Sequence, residues 1–187
     1  MKRAVILHGT LGSPEGNWFS WLEHELLDRN LDVWVPALPG AEQPSLRQWL
    51  TFIHENRPFE LDEETVIIGH SSGATLALVL AQTNTRPIGG IAAVSVFDDN
   101  SLNWEPNARL FDVALEYGRI RSNVRKLLFI HSDNDPYVPL EKARQIAEQC
   151  GETTVVIGEQ GHFNTEQGPE YEQFPKLLEL LDEHQMI

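Results

Sequence analysis

Short runs of apolar, β-branched residues alternate along this chain with segments whose apolar residues recur at helical spacing. The runs at 3–7, 31–35, 65–68, 88–96, 126–131 and 153–157 predict six strands. Between them, Trp18, Trp21, Leu22 and Leu26 share one helical face, and Leu46, Trp49, Leu50 and Ile53 share another behind the capping residue Ser45. Further helices are predicted from Ser72 to about residue 83, over 139–149 and over 169–184, with a weakly helical stretch at 109–121 and a polar loop at 97–108. Strands that are apolar on both faces belong in a parallel sheet covered on both sides. No repeat or linker interrupts the pattern, so one α/β domain over residues 1–187 is expected.

The third apolar run breaks at Gly69-His70-Ser71-Ser72-Gly73 and enters an Ala/Leu-rich helix. Strand, tight turn and helix around G-x-S-x-G make a nucleophile elbow. The turn forces Ser71 toward positive φ, and small residues at 69 and 73 let strand and helix approach. The hydroxyl is then held out at the carboxyl edge of the sheet, where open parallel sheets bind their ligands.

Other strand ends at that edge carry matching chemistry. The first run ends in His8-Gly9-Thr10, the fifth leads to Asp135 and the sixth to His162. Ser, Asp, His is the chain order of α/β-hydrolase triads. A serine hydroxyl needs a base to take its proton, and an imidazole needs an acid to hold its tautomer. Ser71, Asp135 and His162 fit those roles. Asp98 and Asp133 are competing acids; Asp135 is preferred because Pro136 and Pro139 hold it on a rigid turn. The oxyanion would be met by the N–H of Ser72 and by that of Thr10 or Leu11. His8, Trp18, Phe19, Trp104, Tyr137 and Phe163 are the residues expected around the substrate, with His8 shaping its loop. His70 and His131 read as structural histidines, and His24, His54 and His184 as surface ones.

Composition narrows the setting. The net charge of −14 argues against nucleic acid and anionic membrane as partners. No apolar run approaches the roughly 20 residues that span a bilayer. The N-terminal run is too short for a signal-peptide core and reads as a strand. The single cysteine, Cys150, excludes an intrachain disulfide and fits a reducing cytoplasm. No ligand-spaced His or carboxylate cluster is present, so neither a metal nor a cofactor is expected.

The whole pattern resembles the retinoblastoma-binding-protein-9-like small α/β-hydrolases and their YdeN-type bacterial branch. His8-Gly9, Ser13-Pro14, Trp18-Phe19-x-Trp21-Leu22, the elbow, His131-Ser132-x-x-Asp135-Pro136-Tyr137-Val138-Pro139 and Gly161-His162-Phe163-Asn164 carry the resemblance. It implies a minimal α/β-hydrolase without a large lid, a six-stranded parallel sheet in spatial order 2-1-3-4-5-6, and the triad Ser71, Asp135 and His162. The implied activity is serine hydrolysis of a small ester or amide, the alternative being a binding protein on a hydrolase scaffold. The Leu-x-Cys-x-Glu motif of retinoblastoma-protein binding does not occur, so that partner is not expected. With only residues 97–120 available for a lid, the site should be shallow and open.

Overall fold

The computed structural model describes residues 1–100 and 103–187. The predicted loop at 97–108 includes Ser101 and Leu102, which lie outside the described residues. Six strands, β1 (Arg3–Leu7), β2 (Asp32–Trp34), β3 (Thr65–His70), β4 (Gly90–Val94), β5 (Leu127–Ser132) and β6 (Thr154–Ile157), form one sheet in the order 2-1-3-4-5-6. Every pairing is parallel.

The period-two alternation of strand side chains divides the core. Val5, Leu7, Ile67, Ile91, Ala93 and Phe129 face a cluster that includes α2 (Leu46–Asn56), α3 (Ser72–Thr83) and α5 (Leu140–Gln149). Ala4, Ile6, Val66, Ile68, Ala92, Val94, Leu128 and Ile130 face the other, which includes α1 (Phe19–Asp28) and α6 (Pro175–Glu183). Helix α3 is buried along nearly its whole length, which explains its Ala/Leu composition. Ser45 caps α2 by accepting the Gln48 N–H at 3.1 Å.

Two helices differ from expectation. The stretch at 109–121 is helical only as α4 (Tyr117–Ser122). The helix expected over 169–184 is divided into a 3₁₀ turn at Pro169–Glu172 and α6. Pro175 disfavours helical backbone at the residue before it, and Phe174 takes φ −140° and ψ 69°. Helix α6 therefore starts afresh with proline at its first position.

Close approach of α3 to the sheet requires glycine at the elbow. A Cβ on Gly73 would lie 2.3 Å from the Leu7 carbonyl oxygen and 2.5 Å from that of His8; one on Gly69 would lie 2.4 Å from the Gly73 carbonyl oxygen. The atoms met are backbone, so neither contact is relieved by a rotamer change. Gly73→Ala is expected to destabilise the fold by about 3 kcal/mol or more. Denaturant unfolding checks this; a variant within about 0.5 kcal/mol of the natural chain would refute the contact.

Candidate active site

Ser71 sits between β3 and α3 with φ 58° and ψ −126°. That conformation is costly for a non-glycine residue, of order 1–3 kcal/mol. It is held by the Ser71 N–H bond to Val94 O at 2.8 Å and by Ala74 N–H donating back to Ser71 O at 2.9 Å. Ser72 opens α3, so its N–H is one of the first-turn donors that have no intrahelical acceptor.

Beyond β5 the chain turns tightly. Asp135 Oδ1 accepts the N–H groups of Tyr137 at 2.9 Å and Val138 at 3.0 Å. Its Oδ2 lies 2.7 Å from His162 Nδ1. Burial works to raise the Asp135 carboxyl, but the His162 bond and charge and the two backbone donors hold it below the ordinary carboxylate range. The competing acids are engaged elsewhere. Asp98 accepts from Tyr117 Oη at 2.7 Å and neighbours Lys142, while Asp133 accepts the Glu159 N–H at 2.7 Å.

His162 lies close to the elbow, its ring centroid 4.8 Å from that of His70. Among the described residues Ser71 Oγ has no hydrogen-bond partner, so no Ser71–His162 bond is closed in this structure. Such bonds commonly tighten only in the substrate complex.

The loop after β1 is committed internally. Thr10 N–H donates to Ser72 Oγ at 2.7 Å, and Leu11 N–H donates to Ala41 O at 2.8 Å. Thr10 Oγ1 donates to Asn107 Oδ1 at 2.7 Å and lies 2.8 Å from Ser72 Oγ. With the Thr10 proton on Asn107, Ser72 Oγ must be the donor to Thr10 Oγ1. Thus neither loop N–H offered for an oxyanion is free at rest. Asn107 escaped the sequence reading because nothing local marks an asparagine in a polar loop as the partner of a residue 97 positions away.

The expected pocket divides in two. Trp104 and Tyr137 are 43% and 41% exposed, stack on each other at 6.5 Å, and Tyr137 meets the His162 ring edge-on at 5.1 Å. Leu11, 59% exposed, is a third apolar side chain on the loops at this edge. Trp18, Phe19 and Phe163 are a correction: all three are fully buried in the core facing α1 and α6, leaving no surface to offer a substrate. His8 is buried as well; its Nδ1 bonds Gly9 O and its Nε2 accepts the Leu38 N–H at 2.9 Å, so it braces two loops. Two surface hollows, of about 390 and 530 Å³, lie along α2 and between Asn100 and Arg109, and neither includes Ser71, Asp135 or His162.

Besides His162, three buried histidines lie at the sheet edge, and burial is the leading cause that lowers each. His70 is pushed down to about 3, with His162 adding to the effect; His8 and His131 move in the same direction. A folded value below the unfolded one, about 6.5, contributes stability that is complete above that pH and is lost as pH falls toward the folded value. The melting temperature is therefore expected to fall as pH drops below about 6.5, with each histidine adding up to about 1.4 kcal/mol per pH unit. Thermal melts from pH 7.5 to 4 check this, and a flat profile would refute it.

The fold and this edge define the class: an α/β-hydrolase architecture with a serine on its elbow. The chain belongs to the serine hydrolase family, whose match runs over residues 4–183. It is 25% identical over 169 residues to YdeN of Bacillus subtilis, covering 89% of this chain and 88% of YdeN. It is 26% identical over 169 residues to the serine hydrolase RBBP9 of Rattus norvegicus, covering 88% and 89%. The crystal structure of the YdeN gene product matches the fold with a TM-score of 0.88 at 22% identity, each chain covered in full at 100%. Est1E of Butyrivibrio proteoclasticus, solved with ferulic acid bound, matches with a TM-score of 0.68 at 19% identity, covering 100% of this chain and 90% of Est1E. No helix among the described residues is long and apolar enough to cross a membrane.

Proposed function

We propose that the protein hydrolyses a small carboxylic ester or amide through an acyl-enzyme on Ser71. The observation that carries this reading is the 2.7 Å bond between His162 Nδ1 and Asp135 Oδ2, delivered beside a strained elbow serine. Asp135 fixes the His162 tautomer with its proton on Nδ1, leaving Nε2 as the base. Ser71 Oγ attacks the carbonyl carbon as Nε2 takes its proton. The oxyanion is met by Ser72 N–H, and by Thr10 N–H once that group leaves the Ser72 hydroxyl. Collapse of the tetrahedral adduct passes the proton to the leaving alkoxide or amine. Water, activated by the same Nε2, then attacks the acyl-enzyme and frees the acid and Ser71.

The exposed Trp104–Tyr137 pair beside His162 supports an open site for small, partly apolar substrates. A purely binding role has against it the paired acid and base, which binding does not need. A fluorophosphonate probe tests the reading: the natural chain should label and Ser71→Ala should not. Equal labelling of both would remove the proposal.

A further inference from the structure

The segment that carries His162 is held by side chains at five of its six residues from 160 to 165. Gln160 N–H donates to Ser132 Oγ at 2.9 Å and Gly161 N–H to Asn134 Oδ1 at 2.7 Å. Thr165 N–H donates to Asn17 Oδ1 at 3.0 Å. Between these anchors, the carbonyl of His162 itself and that of the next residue are bound by buried ring donors from the first half of the chain. His70 Nε2 lies 2.7 Å from His162 O, and Trp18 Nε1–H donates to Phe163 O at 3.0 Å. His70 is the residue before the nucleophile, and Trp18 is the residue before α1.

The two donors also support each other. Trp18 and His70 meet edge-on with centroids 5.9 Å apart, and Phe19 lies 6.0 Å from His70. A carbonyl acceptor requires the proton of His70 on Nε2; the neutral ring that burial favours carries it there, and an imidazolium would keep it, so the donor does not depend on pH. The backbone they hold is not relaxed. Gly161 and Phe163, on either side of the base, have φ of 56° and 52°. A left-handed Phe persists only where its surroundings over-determine it.

We propose that His70 and Trp18 are positioning residues for His162, setting where its imidazole stands over Ser71 by holding the carbonyls of residues 162 and 163. The proposal rests on the hydrolase reading above and extends it to two residues that touch no substrate. It also gives Trp18 a role other than the substrate contact expected from sequence. A base moved by about 1 Å from its productive place can cost on the order of 100-fold in rate.

The test uses variants that remove a donor and keep bulk. His70→Leu and Trp18→Phe are each expected to lower kcat for p-nitrophenyl acetate about 10- to 100-fold, with KM within about threefold. Fluorophosphonate labelling of Ser71 should slow in step. His70→Gln, which offers a neutral N–H at similar reach, should recover most of the loss. Values of kcat within about twofold of the natural chain, or a His70→Gln no faster than His70→Leu, overturn the assignment. If His70→Leu does not fold, His70→Asn replaces it, since its amide is too short to reach the carbonyl; a rate equal to that of His70→Gln is then the refuting result. A natural chain that labels no better than Ser71→Ala removes the hydrolase reading instead. Ring placement is then read on the resting protein from the NMR signal of the His162 Nδ1 proton shared with Asp135. His70→Leu and His70→Gln both lack the histidine ring current, so a signal that differs between them supports the assignment, and one that is the same in both overturns it.

Discussion

Ser71→Ala is expected to lower turnover of a short p-nitrophenyl ester by on the order of 10⁵- to 10⁶-fold. Alanine keeps the Cβ, and the elbow's φ of 58° is set by the Val94 and Ala74 bonds rather than by the hydroxyl. The fold should therefore survive, with melting unchanged within a few degrees. What disappears is the nucleophile, and with it the route through a covalent intermediate. A residue of catalysis, up to about 10³- to 10⁴-fold over water, should remain from the oxyanion donors and substrate binding. The measurement is steady-state kinetics on purified protein, with active-site titration of the natural chain. A loss of less than about 100-fold would show that Ser71 is not the attacking group.

The second large effect is expected at the acid. Asp135→Asn should lower kcat about 10⁴-fold without unfolding the protein. Oδ1 of Asp135 already accepts two backbone N–H groups, from Tyr137 and Val138, while Oδ2 faces His162 Nδ1. An asparagine has one oxygen, and the two N–H donors will claim it. Its NH₂ must then face Nδ1 of His162. Two donors cannot share a hydrogen bond, so the imidazole is driven to carry its proton on Nε2 instead. In that tautomer it cannot take the proton of Ser71. A loss smaller than about tenfold would mean that the acid is dispensable or lies elsewhere.

Much of this architecture was legible locally. The inner strands β1, β3, β4 and β5 announce themselves as apolar runs because both their faces are covered, and α2 announces itself through Ser45 and a one-sided apolar stripe. The errors came where a local signal competed with another. A helix drawn through residues 169–184 overlooked the constraint that Pro175 places on Phe174. Aromatic residues near motif positions suggest substrate contacts, although Trp18, Phe19 and Phe163 are large apolar groups that fill the core. A structural histidine, as the sequence suggests for His70, describes its burial but not the His162 carbonyl that it bonds.

By itself the sequence determined the succession of strands and helices, the elbow with its serine, and the arrival of a histidine and several carboxylates at one sheet edge. These follow from periodicity, glycine placement and chain order, which act over a few residues. Only the tertiary structure decided which carboxylate meets His162, which N–H groups of the β1 loop are already committed, and which rings bond the backbone at His162 and Phe163. Those depend on hydrogen-bond reach, a matter of tenths of an ångström between residues as far apart as 18 and 163, and no local pattern encodes it.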